Sequence, residues 1–98
     1  MKIEKNKNEK NLVVALDGRL DTTTAPQLEE ELKTALNDVT ELVFDFSKLE
    51  YISSAGLRVL LSAYKTMRGK GSMKITNANE LVQEVFEVTG FSDLLPIE

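Results

Sequence analysis

The feature that most constrains this chain is a change of period between residues 42 and 64. Leu42-Val43-Phe44-Asp45-Phe46 is short, aromatic and β-branched, the pattern of a buried strand. Leu57, Leu60, Leu61 and Tyr64 then recur at i, i+3, i+4 and i+7, one face of an amphipathic helix. The junction is Tyr51-Ile52-Ser53-Ser54-Ala55-Gly56-Leu57-Arg58. Two serines therefore stand at a helix mouth, where the first backbone N–H groups point outward without partners.

The same alternation extends in both directions. Lys2 to Asn6 reads as a short edge strand, Lys7 to Asn11 as a turn, and Leu12 to Leu16 as a firmer strand with a turn or bulge at Asp17-Gly18. After a loop of three threonines, Thr24 and Gln27 have capping-box spacing and Pro26 falls in a first helical turn. Leu28, Leu32, Ala35 and Leu36 form that helix's buried stripe, and Asn37-Asp38 ends it. Ser47 to Ile52 reads as a loop or short turn leading to the serines, and the second helix as Ala55 to Met67, stopped by Gly69-Lys70-Gly71. Met73 to Thr76 is a further strand. Asn77 with Glu80 marks a third helix whose apolar face is Leu81, Val82, Val85 and Phe86, closed by Gly90. Phe91, Leu94, Leu95 and Ile97 are expected to fold back on the core, with Pro96 confining the last segment to an edge. The order ββαβαβα predicts one α/β domain over residues 1–98, a mixed sheet of four or five strands with crossover helices packed on it.

Composition narrows the chemistry. The chain has 98 residues, enough for one core, and its 42% hydrophobic and 29% charged shares are those of a soluble protein. No apolar run reaches bilayer length and the polar N-terminus does not resemble a signal peptide, so the expected location is the cytoplasm, away from the membrane. There is no cysteine, hence no disulfide and no thiol nucleophile. There is also no histidine, which removes the ordinary base near neutral pH, the Ser–His pair and Cys/His zinc sites. A net charge of −4 argues against a nucleic-acid groove. No catalytic residue, metal ligand or cofactor site is assigned.

Gly18-Arg19-Leu20-Asp21, Asp45-Phe46-Ser47 and Ile52-Ser53-Ser54-Ala55-Gly56-Leu57, in that order and spacing, resemble a STAS domain, and within it the bacterial anti-sigma factor antagonists. The resemblance covers essentially the whole chain, and Ser54-Ala55-Gly56-Leu57 with its upstream strand is its most specific part. It implies a partner switch. In the family, a serine kinase that is also the anti-sigma factor uses ATP to phosphorylate one serine of the antagonist. The unmodified antagonist holds that kinase and frees the sigma factor; the phosphorylated form lets go, and a PP2C-type phosphatase resets it. The acceptor, the serine directly after the family's Asp, falls on Ser54. The Asp itself is Ser53 here, which creates a second candidate hydroxyl. Ser53, Ala55, Gly56 and Arg58 are expected to contact the partner, with Asp21 and Thr22 on a neighbouring loop as rim contacts. Gly56, lacking Cβ, would let a partner backbone or nucleotide approach closely.

Plainer roles stand beside these. Serines cap helices everywhere, Asp21 and Thr22 fit ordinary turn chemistry, and Arg58 can be a solvated side chain instead of a ligand for phosphate or carboxylate. Three functions compete: a phospho-regulated binding protein, a serine hydrolase or transferase, and a STAS module that binds partners or senses nucleotide without being phosphorylated. The second fares badly, because histidine is absent and Ile52 stands where a nucleophile elbow carries its first glycine.

Overall fold

The computed structural model describes residues 1–98. Strands β1 (Lys2–Asn8) and β2 (Asn11–Leu20) form an antiparallel hairpin, with Glu9 at φ 58° in its tight turn. Helix α1 (Ala25–Ala35) then carries the chain to β3 (Glu41–Ile52), parallel to β2. Helix α2 (Ser54–Arg68) carries it to β4 (Ser72–Thr76), parallel to β3. Helix α3 (Glu80–Thr89) and a one-turn α4 (Phe91–Leu94) complete the domain. The sheet order is β1-β2-β3-β4, the expected four-stranded mixed sheet.

One face of this sheet is covered. Leu12, Val14 and Leu16 of β2, Leu42, Phe44 and Phe46 of β3, and Met73 and Ile75 of β4 are buried, while Val13, Val43 and Lys74 between them lie on the other side. Against the covered face pack Leu28 and Leu32 of α1, Leu57, Leu60 and Ala63 of α2, and Val82 and Phe86 of α3. The Phe46 and Phe86 rings stack with centroids 6.5 Å apart, fixing α3 to the middle of β3. The core contains 25 side chains, all apolar.

The structure corrects the sequence reading in four places. Ser47 to Ile52 is not a loop: β3 continues to Ile52 and delivers the chain directly to the serines. Pairing jumps from Ala15↔Asp45 to Asp17↔Lys48 and from Gly18↔Leu49 to Arg19↔Tyr51, so β3 carries an extra residue at each irregularity. Each bulge resets the alternation, so that Phe46, Leu49 and Ile52, spaced by three, all face the core. A strict period of two reads that spacing as a break.

The capping box at Thr24 is not formed. Thr24 Oγ1 donates to the Arg19 carbonyl at 2.7 Å and accepts from the Asp21 N–H at 2.8 Å, while Gln27 reaches the Met1 carbonyl instead of closing the box. The third helix is capped by Asn79, not Asn77: its Oδ1 accepts from the Val82 N–H at 2.8 Å, and Asn77 lies upstream at φ 63°. Finally, Leu81 and Leu94 are exposed; α3 buries Val82 and Phe86, and Leu95 alone of the C-terminal leucines enters the core. Ile97 bridges to Ile75 in parallel, so the tail after Pro96 does join the edge of β4.

Asn79 does more than cap. Its Nδ2 donates to the Leu49 carbonyl at 3.0 Å, tying the start of α3 to the bulged part of β3. Asn79→Ala removes both bonds and is expected to cost about 1–2 kcal/mol. In a domain of this size that lowers the melting temperature by roughly 5–15 °C, measured by thermal unfolding followed by circular dichroism.

Candidate functional site

The end of β3 and the start of α2 are held by backbone geometry before any side chain is considered. The Ser53 N–H donates to the Leu20 carbonyl at 2.9 Å, continuing the β2–β3 ladder by one rung, and the Leu57 N–H donates to the Ser53 carbonyl at 3.0 Å, opening α2. Ser53 is therefore the N-cap, in extended conformation, and Ser54 the first helical residue. The N–H groups of Ser54, Ala55 and Gly56 have no acceptor four residues back in α2 and find none elsewhere.

The two serines differ in what they can meet. Ser54 is exposed. Ser53 is half-buried, and its Oγ is enclosed without a hydrogen-bond partner. It occupies the capping position yet makes no capping bond. Of the two hydroxyls, only that of Ser54 faces a reagent arriving from solvent.

The rung from Ser53 to Leu20 also places the Asp21 turn beside the serines, as expected from the sequence. Asp21 is half-buried and its Oδ1 accepts from the Thr23 N–H at 3.0 Å, the Thr23 hydroxyl at 2.7 Å and the Thr24 N–H at 3.2 Å. The carboxylate organises the turn that starts α1, the plainer of its two expected roles. Thr22 is exposed at the tip. Between the mouths of α1 and α2 lies a groove of about 350 Å³ lined by Thr22, Pro26, Glu29, Ala55, Arg58 and Ser62. Thr22, Ala55 and Arg58 thus share one surface next to Ser54.

Gly56 does not share it. The residue is buried, and a Cβ there would lie 2.7 Å from Leu20 Cγ and 2.9 Å from Ile52 Cγ1. The missing side chain lets α2 sit close on β2 and β3. It does not make room for a partner or nucleotide, and the surface role expected for Gly56 is withdrawn.

Sequence reasoning missed the cation beside the serines. Arg19 and Tyr51 are register partners on β2 and β3, and the Arg19 guanidinium lies 4.7 Å from the Tyr51 ring centroid, with Nε 4.0 Å from Asp21 Oδ2. Only the bulged register brings them together, so no local signal could have shown it. Arg58 is exposed and forms no ion pair or hydrogen bond.

The hydrogen bonds from Thr23 and then Thr24 hold the Asp21 carboxyl below its ordinary value of 3.8, and those from Asn77 and Ser47 do the same for Asp45. In both, the folded state favours the anion. Their stabilisation is complete above the ordinary carboxylate range and is lost as pH falls through the depressed folded value. The thermal stability gap between the parent chain and an Asp21→Ala variant should therefore be constant from pH 7 to 5 and narrow below about pH 4. A gap that persists unchanged at pH 2 would show that the Asp21 turn does not depend on the anion.

These features define a small α/β domain whose exposed serine sits at the joint of a bulged strand and a helix. The STAS domain model matches residues 2–98, and the chain belongs to that family. BtrV of Bordetella bronchiseptica, a proposed anti-sigma factor antagonist, is 36% identical over 99% of this chain and 85% of its own length. Among solved structures, the anti-sigma factor antagonist SpoIIAA in its unphosphorylated form superposes with a TM-score of 0.86 at 21% identity, over 99% of this chain and 88% of that one. SpoIIAA of Bacillus in its phosphorylated form superposes with a TM-score of 0.77 at 20% identity, over 99% and 91%.

Proposed function

We propose that this chain is an anti-sigma factor antagonist that exchanges partners according to the phosphorylation of Ser54. Unmodified, it binds an anti-sigma factor that is also a serine kinase and so releases the sigma factor. Phosphorylated by that kinase at the expense of ATP, it dissociates, and a PP2C-type phosphatase returns it to the binding form. Its own part is that of a binding protein and substrate, not of an enzyme. The observation that carries this reading is the position of Ser54: an exposed residue that opens α2, beside three unpaired N–H groups and next to the surface shared by Thr22, Ala55 and Arg58.

The physical case is one of sign and place. A phosphate adds about −1.5 to −2 charge and three acceptor oxygens. At a helix N-terminus it meets free N–H groups and the positive end of the dipole, an interaction favourable by about 0.3–2 kcal/mol, so the fold tolerates it. A partner seated on the same surface meets both bulk and repulsion, and like charges forced together cost several kcal/mol. No rearrangement of the domain is needed.

Phosphosite mapping by tandem mass spectrometry on protein from its native cell tests this. Trypsin releases Leu49 to Arg58 as one peptide, containing Tyr51, Ser53 and Ser54. Phosphate on Ser54 that varies with stress or starvation is the expected result. Phosphate on Ser53 instead would move the switch by one residue to the enclosed hydroxyl, requiring α2 to open. A peptide unmodified under every condition would end the phospho-switch and favour the module that is never phosphorylated, for which the replacement of the family's Asp by Ser53 is the supporting feature.

A further inference from the structure

We infer that Arg58 is the clamp for the phosphate on Ser54: its guanidinium folds back along α2 and holds the phosphate over the Thr22–Ala55 groove. The inference rests on the proposed modification of Ser54 and assigns the residue that receives it. Ser54 and Arg58 are four apart on one helix, so they lie on the same face with Cβ atoms about 6 Å apart. Helical side chains lean toward the N-terminus, which aims Arg58 at the turn carrying Ser54. The order of the pair, anion first and cation one turn later, is the favourable one for the helix dipole.

The surroundings leave Arg58 as the available cation. Arg19 is the other arginine of the region, but it lies over Tyr51 and beside Asp21. Glu29 is the carboxylate that lines the groove and it forms no ion pair, while Asp21, in the turn before α1, is occupied by Thr23 and Thr24. A phosphate on Ser54 therefore stands next to a groove that carries one carboxylate, Glu29, and one unengaged positive charge, Arg58. A planar guanidinium can take two phosphate oxygens at once, which a lysine ammonium cannot match. Arg58 is exposed and is not part of the core, so changing it should leave the fold intact.

The test installs phosphoserine at position 54 during translation, so that it depends on no kinase. The second phosphate pKa is then read by phosphorus NMR titration in the otherwise unaltered chain and in Arg58→Gln, Arg58→Lys and Arg19→Gln backgrounds. A clamping cation favours the dianion and lowers that pKa from its usual value near 6. Arg58→Gln should raise it by about half a pH unit, Arg58→Lys should recover part of the shift, and Arg19→Gln should change it much less. The rise in melting temperature on phosphorylation should shrink by roughly 2–4 °C in Arg58→Gln. Equal pKa values in the parent and Arg58→Gln proteins, or a larger shift from Arg19→Gln, would overturn the clamp. Failure of the partner switch is a separate result: a cellular peptide without phosphate would refute the modification while leaving the titration to stand.

Discussion

A Ser54→Glu variant is expected to bind the anti-sigma kinase at least about a hundredfold more weakly than the unmodified chain, and Ser54→Ala to bind it about as tightly. A hundredfold corresponds to about 2.7 kcal/mol, within the several kcal/mol that like charges cost when forced together at an interface. Isothermal titration calorimetry at constant salt measures it, and raising the salt should narrow the difference, because the repulsion is partly screened. The design separates binding from folding. Position 54 is exposed and is the first residue of α2, where a carboxylate is favourable by about 0.3–1 kcal/mol. Ser54→Glu should therefore melt at or slightly above the parent temperature while losing its partner. Alanine removes the acceptor without adding charge, and should give a protein that the kinase holds but cannot release. Equal affinities for the glutamate variant and the parent would remove Ser54 from the interface altogether.

The largest effect on stability is expected from one methyl group at Gly71. This residue turns the chain from α2 into β4: its N–H donates to the Met67 carbonyl at 2.8 Å, and the next N–H, of Ser72, donates to the Thr40 carbonyl at 2.8 Å. A Cβ on Gly71 would lie 1.8 Å from that same Thr40 oxygen and 2.6 Å from its carbon. The obstacle is backbone, which no rotamer change relieves, so the start of β4 must move off β3. The expected cost of Gly71→Ala is about 3 kcal/mol or more, a fall in melting temperature on the order of 12 °C at least. Gly69 is the internal control. It ends α2 at φ −87°, and a methyl group added there would meet nothing within 4 Å, so Gly69→Ala should be neutral or stabilising by up to about 1 kcal/mol. Urea unfolding of the two variants side by side checks both, and similar behaviour of the pair would refute the steric account.

How much of this was legible in the sequence follows from the range of each interaction. The strands, the three long helices and the ββαβαβα order came from periods of two and 3.6, because burial of one face stamps that period on the residues themselves. Gly90 at φ 81° ended α3 as its identity implied. Where several donors or acceptors competed, local pattern failed. Thr24 had the spacing of a capping box, but its hydroxyl is satisfied by Arg19 and Asp21. Asn77 was read as the start of α3, but its side chain is drawn instead to Asp45, its Nδ2 donating across 3.0 Å to a strand 32 residues away.

The sequence by itself determined that a buried strand meets an amphipathic helix at two serines, and that no histidine or cysteine stands near them. Those facts need only composition and the spacing of apolar residues along a single segment. Which serine is reachable was decided by tertiary structure alone. The bulges of β3 against β2 carry the strand through to Ile52, seat Ser53 on the Leu20 carbonyl with its hydroxyl enclosed, and leave Ser54 outside. Gly56, which the sequence offered to a partner, was claimed by Leu20 and Ile52 for the same reason. Register between strands distant in sequence sets these contacts, and a one-residue change in it alters what every later side chain faces.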